Sequence, residues 1–167
     1  GSMLFPERGR PGLVPVVVEL KTAPLTFQPA ADGKSYTSDV TVLVRFADDQ
    51  NRVLRKVSQH YELTGPITQI DGARKGEILF YRESELPPGL YTMETVVHDA
   101  LAGKSSVRFS TVEVPKYADS ALRISSLVPI KRSEKVAEKE RPAGNPLLVN
   151  DVVLYPNLGD AVSKAAK

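Results

Sequence analysis

The 167-residue sequence predicts an all-β fold, an antiparallel sandwich of about seven or eight strands. Three observations carry that reading. Apolar residues recur at period two in several separate stretches. Clusters of Gly, Pro, Asp and Asn punctuate the chain between those stretches. No stretch sustains the 3.6-residue apolar period of an amphipathic helix.

Residues 1–13 read as a tag remnant and linker: Gly1-Ser2-Met3 has the form of an expression scar, and Pro6, Gly9, Pro11 and Gly12 crowd the stretch from Leu4 to Gly12. Val14–Leu20 reads as a first strand with Val16, Val18 and Leu20 on one face. Thr22–Lys34 holds Pro24, Pro29, Asp32 and Gly33 and reads as loop, with Leu25 and Phe27 tucked under the core. Tyr36–Phe46 is the clearest alternation. Tyr36, Val40, Val42, Val44 and Phe46 share one face; Thr37, Asp39, Thr41 and Arg45 share the other, with Leu43 the exception. Asp48, Asp49 and Asn51 form a turn. Val53–Leu63 returns with Val53, Val57, Tyr61 and Leu63 inward. Gly65-Pro66 and Asp71-Gly72 break the chain, and Glu77–Tyr81 reads as a short strand.

The hairpin Leu86–Pro115 is the centre of the prediction. Pro87-Pro88-Gly89 makes a tight turn. Tyr91, Met93, Thr95 and Val97 then share a face, and the Tyr91 hydroxyl is expected to bond a loop. Gly103 suits a left-handed position in the hairpin loop. On the return, Val107 and Phe109 fall out of phase with Val112 and Val114, which predicts a β-bulge or a change of sheet near Ser110–Val112. Leu122–Ile130 reads as a further strand with Pro129 on an edge or at a bulge. Lys131–Arg141 is a charge run and reads as a solvated loop or short helix. Leu147–Tyr155 is a last apolar stretch, and residues 161–167 read as a flexible tail. The domain is thus residues 14–160. Its strand spacing is that of immunoglobulin-like or fibronectin-type sandwiches, with a barrel as the alternative.

Composition narrows the function. The 22 basic and 20 acidic residues are interspersed, a net charge of +2, which argues against a nucleic-acid groove. The absence of cysteine excludes disulfides, thiol nucleophiles and Cys-ligated zinc. No apolar run approaches the roughly 20 residues of a membrane-spanning helix. His60 and His98 fall on polar strand faces and read as surface residues. The neighbours His98 and Asp99 point to opposite faces, which weakens them as a catalytic pair. No Gly-x-Ser-x-Gly elbow, phosphate loop or dinucleotide fingerprint is present. Asp48, Asp49 and Asn51 have the oxygen ligands of a calcium loop but not its full ligand count, so turn chemistry is the preferred reading.

No catalytic, cofactor or metal residue is therefore assigned. The sequence favours a non-enzymatic interaction module that uses exposed strand edges. Val128, Ile130, Leu147, Val149, Val152 and Leu154 are the expected edge residues. A carbohydrate-binding module is the alternative and needs a row of exposed aromatics, against which the lack of Trp counts. A hydrolase would need a concave pocket holding His60 or His98 beside a serine or carboxylate.

Pro87, Pro88, Gly89 and Tyr91, followed by Asp99 and Gly103, resemble the Pro-Pro-Gly-x-Tyr … Asp … Gly pattern of bacterial immunoglobulin-like domains. The stretches VLVRFADDQNRVLRKVSQHYELTGPI, ILFYRESELPPGLYTMETVVHDALAGKSSVRFSTVEVP, LRISSLVPIKRSEK and NPLLVNDVVLYPNLG are similar to the region that follows the von Willebrand factor A domain in bacterial VWFA-related proteins. The resemblance spans roughly residues 14–160. It implies a secreted, periplasmic or envelope-associated protein and an A domain as the neighbouring partner. The metal-adhesion motif of such A domains, Asp-x-Ser-x-Ser, has no counterpart here: Asp119-Ser120-Ala121 departs from it, so no metal ligand carries over.

Overall fold

Strands β1 (Leu13–Lys21) and β5 (Glu77–Glu85) pair antiparallel from Leu13 opposite Glu85 to Lys21 opposite Glu77. The computed structural model describes residues 2–4, 10, 12–116, 124–137 and 147–158. The second sheet is built on β3 (Ser35–Ala47). Strand β4 (Val53–Pro66) pairs along it, β6 (Gly89–Asp99) also pairs with it, and β7 (Lys104–Val114) lies beyond β6. The short β2 (Gln28–Pro29) bridges to Tyr36 and Thr37. A 3₁₀ turn (Ile67–Gln69) and a single helical turn (Ile70–Ala73) connect β4 to β5.

The two sheets face each other. Val14 and Val16 of β1 and Phe80 of β5 pack on Val42, Val44 and Phe46 of β3, Tyr91 and Met93 of β6 and Val112 and Val114 of β7. The chain enters in one sheet, crosses for β3 and β4, returns for β5 and crosses again for β6 and β7. The result is an antiparallel β-sandwich, the fold class that the strand alternation predicts. The corner between β5 and β6 carries its usual mark. The Tyr91 hydroxyl donates to the carbonyl of Pro87, four residues upstream, at 2.7 Å. Pro15 is tolerated within β1 because its carbonyl side faces the outer edge, where the Met3 N–H donates to it at 3.0 Å.

Several expectations need correction. The ladder between β6 and β7 runs without a register shift from Gly89 opposite Val114 to Asp99 opposite Lys104, so there is no bulge near Ser110–Val112. Val107 and Phe109 point away from the core, while Val112 and Val114 point into it. The irregularity sits in the other hairpin, between Phe46 and Ala47, opposite Val53–Arg55. It turns Leu54 toward the core and leaves Val53, expected inside, 48% exposed. Residues 124–129 form no strand. The charge run instead begins as strand β8 (Ile130–Lys135), whose residues are all exposed, so the solvation holds and the loop or helix conformation does not. Residues 138–141 lie outside the described residues, as does the tail 161–167. Leu147–Tyr155 is two strands, β9 (Leu148–Val149) and β10 (Val152–Pro156). A two-residue turn joins them, with Asn150 at φ 48° and Asp151 at φ 68°.

Strands β8, β10 and β9 make a third sheet in that order. It belongs to the back of the β1–β5 pair. There Val17 packs with Met3 and Leu147, joined by Leu79, Tyr81, Val128, Leu154 and Leu158. Met3, read as part of a tag remnant and linker, is 4% exposed and belongs to this cluster. Lys131 ties β8 to Glu19 of β1 and Glu77 of β5, at 3.2 Å each.

Candidate functional site

Strand β7 supplies the site. Its eleven residues alternate between two surfaces. Ser105, Val107, Phe109, Thr111 and Glu113 face outward. Lys104, Ser106, Arg108, Ser110, Val112 and Val114 face the sandwich. Among the described residues β7 pairs with β6 alone, so its other edge presents unpaired backbone donors and acceptors. Outward, Val107 is 49% and Phe109 64% exposed, and Leu90 on β6 is exposed beside Glu113.

Inward, the two sheets fail to close. Val112 and Val114 fill the core at one end of β7, but Ser106 and Ser110 are too short to do so at the other. Two depressions result, and they share Val97 and Ser106. One, of about 280 Å³, is floored by Val18, Met93 and Thr95 and rimmed by Arg108 and Ser110. The other, of about 350 Å³, is lined by Leu20, Leu25, Asp99 and Lys104. Together they form a groove along the side of the sandwich between β1 and the open edge of β7.

The groove's electrostatics are uneven. On the β1 side, Glu19 is neutralised by Lys21 at 2.6 Å and by Lys131. Glu77 accepts from Lys21 at 3.1 Å and from Lys131 at 3.2 Å, and these two ammonium groups hold its carboxyl below the usual range. Asp99 is buried and bonded on both oxygens, to the Thr26 N–H at 2.8 Å and the Ala102 N–H at 3.1 Å. Burial alone would push the Asp99 carboxyl up, but those N–H donors together hold it below its ordinary value. On the β7 side, Lys104 and Arg108 make no ion pair or hydrogen bond with any side chain among the described residues.

The residues singled out in the sequence lie elsewhere. His60 and His98 both project from the outer face of the large sheet, flanking Thr41 from the two adjacent strands. His60 Nε2 lies 2.8 Å from Asp39 Oδ1, and His98 Nδ1 lies 2.9 Å from Ser105 Oγ. Each pair is exposed on an open pleated surface. Asp99, next to His98, points the other way. The turn at Asp48 is held by its own loop: Oδ1 accepts the N–H groups of Gln50 and Arg52, and Oδ2 takes the Arg52 guanidinium at 2.8 Å. Those bonds, the Arg52 N–H first, keep the Asp48 carboxyl below its usual range. Among the described residues no group of three or more histidine or carboxylate side chains is placed to hold a metal ion.

Of the expected edge residues, Val152 and Leu154 sit on β10, which β8 and β9 flank on both sides. Leu147 is 5% exposed, and Val128 and Leu154 pack against the same cluster. Only Ile130 and Val149 of the six are exposed. The aromatics are similarly committed. Phe27 packs edge-on against Tyr36 with centroids 5.6 Å apart, and Arg132 lies 3.5 Å over the Tyr155 ring. Phe109 is the one exposed aromatic among the described residues. Among them, too, no helix is long and apolar enough to cross a membrane.

Sequence reasoning missed β7 as the site because it took a change of occupancy for a change of register. The available signal was Ser106-Val107-Arg108-Phe109-Ser110 itself, with hydroxyls and a cation on one face and large apolar groups on the other. Comparison with protein-family models, curated proteins and solved structures finds no match.

Proposed function

We propose that the chain is a non-enzymatic β-sandwich module that binds another polypeptide, as an accessory domain of a larger extracytoplasmic protein. One observation carries the binding role: an eleven-residue strand, open along one edge among the described residues, with exposed Val107 and Phe109 on one face and a groove on the other. Proteins ordinarily shorten, charge or cover such an edge, because it is a template for a further strand. The extracytoplasmic setting and the neighbouring von Willebrand factor A domain rest on the resemblance of the Pro87–Gly103 pattern and its flanking stretches. A carbohydrate-binding role has less support, since Phe109, the one exposed aromatic among the described residues, does not form a sugar-stacking row.

The test is an amide NMR titration of the chain with the polypeptide encoded immediately before Leu4. Shifts concentrated on β7 and the facing residues of β6 are the expected result. An unchanged spectrum at saturating concentration would overturn the docking of that neighbour.

A further inference from the structure

We infer that β7 takes up an acidic extended peptide strand, whose two carboxylates, four residues apart, meet Lys104 and Arg108 while an apolar side chain between them enters the groove. This rests on the interaction-module reading and specifies its ligand chemistry.

A strand added to β7 continues its pleat, so residues directly opposite share a face. The groove-facing series on β7 is Lys104, Ser106, Arg108, Ser110. The two cations lie four residues apart, about 13 Å along the strand. Each lacks a partner among the described side chains, whereas Glu19 across the groove is already neutralised by Lys21 and Lys131. Carboxylates opposite Lys104 and Arg108 would therefore be attracted without competition from Glu19. Beside Ser106 and Ser110, among the described residues, the depression is lined by Val18, Met93, Val97 and Leu158, which suits Val, Ile or Leu. On the outer face, residues opposite Val107 and Phe109 gain by being β-branched or aromatic. The recognised segment is thus about seven residues long, with acid, apolar and acid at alternate inward positions. A second copy of β7 fits poorly, because its groove face offers Lys104 and Arg108 and no carboxylate.

The probe is a synthetic peptide of that pattern, titrated into the full chain by NMR and by fluorescence anisotropy at low salt. Amide shifts on β7, Val18 and Val97 are expected, together with slowed exchange of amides along the open edge. Arg108→Glu, a change at an exposed position, should weaken the acidic peptide at least about tenfold. It should also strengthen a peptide carrying Lys at the two acidic positions. A peptide of identical charge with a central Pro should not bind, because it cannot pair.

Absence of β7 shifts at millimolar peptide overturns the proposal. So does binding that tolerates the central Pro, which would mean attraction without strand addition. Concentration-dependent dimers in sedimentation, with exchange of the β7 edge amides slowed in the absence of peptide, would assign the edge to a second copy and overturn it as well. If the peptide fails while the upstream polypeptide still shifts β7, only the acidic-strand chemistry falls; if both fail, the interaction reading falls with it.

Discussion

Asp99 shows how one residue joins distant parts of the chain. It ends β6, yet its carboxylate holds Thr26, 73 positions earlier, as well as Ala102 in its own hairpin loop. The Thr26 loop carries Leu25, a wall of the groove, so Asp99, which lines the groove itself, also holds that wall in place. Its folded-state carboxyl lies below the ordinary 3.8. The folded protein then binds fewer protons than the unfolded chain near that pH. The contribution is fully present above the ordinary value and is lost as pH falls through the lower folded-state value. Urea midpoints measured down this acid limb should fall less steeply in Asp99→Asn than in the parent; equal slopes would remove the carboxylate from this role. Asp99→Ala should cost about 2 kcal/mol at neutral pH, the scale of hydrogen bonds to a charged group. The loop-terminal Asp and the Gly103 that follows at φ 64° were legible in the sequence. The Thr26 partner was not, because nothing local links residues so far apart.

Strands β3 and β7 make a contrast. β3 reads correctly from its alternation because both its neighbours are strands and its inward face is uniformly covered. β7 has the same pleat but an incomplete cover. Its inward face runs from core at Val114 to groove at Ser106, so apolar residues no longer mark which side is inside. The register makes a sharp prediction. Val112→Ala should cost about 2 kcal/mol through the cavity it leaves. Phe109→Thr, despite deleting a ring, should stay within about 0.5 kcal/mol, as exposed substitutions do. Both are read from chemical denaturation, and a large loss at Phe109 would mean that β7 carries the bulge after all. The β4 irregularity was hidden for a related reason: Val53 and Leu54 are both apolar, and composition cannot say which of the two the sheet turns inward.

The assembled fold has three layers, and β1 lies in the middle one. Val14 and Val16 face the large sheet, while Val17 faces the third sheet and Met3. Its sequence, LVPVVV, is a continuous apolar run rather than an alternation, which is the expected pattern for a strand covered on both sides. The third layer should therefore contribute to stability instead of riding on the surface. Leu147→Ala should cost about 2–4 kcal/mol, and Val149→Ala, two residues on but 48% exposed, less than about 0.5 kcal/mol. Similar small effects for both, measured by urea denaturation, would show the third sheet to be dispensable to the sandwich.

Local sequence was enough to specify most of the strands, where they turn and which face most of them bury. The pleat repeats every two residues, and Pro, Gly, Asn and Asp act on their own backbone. Packing at long range settled which strands share a sheet, that β1 is covered twice, that β10 is central, and that among the described residues β7 is an edge and Arg108 stands beside a groove without a side-chain partner. Those outcomes depend on contacts between residues tens to more than a hundred positions apart, such as Thr26 with Asp99 and Glu19 with Lys131. A two-residue periodicity carries no information about which distant face will arrive to cover it.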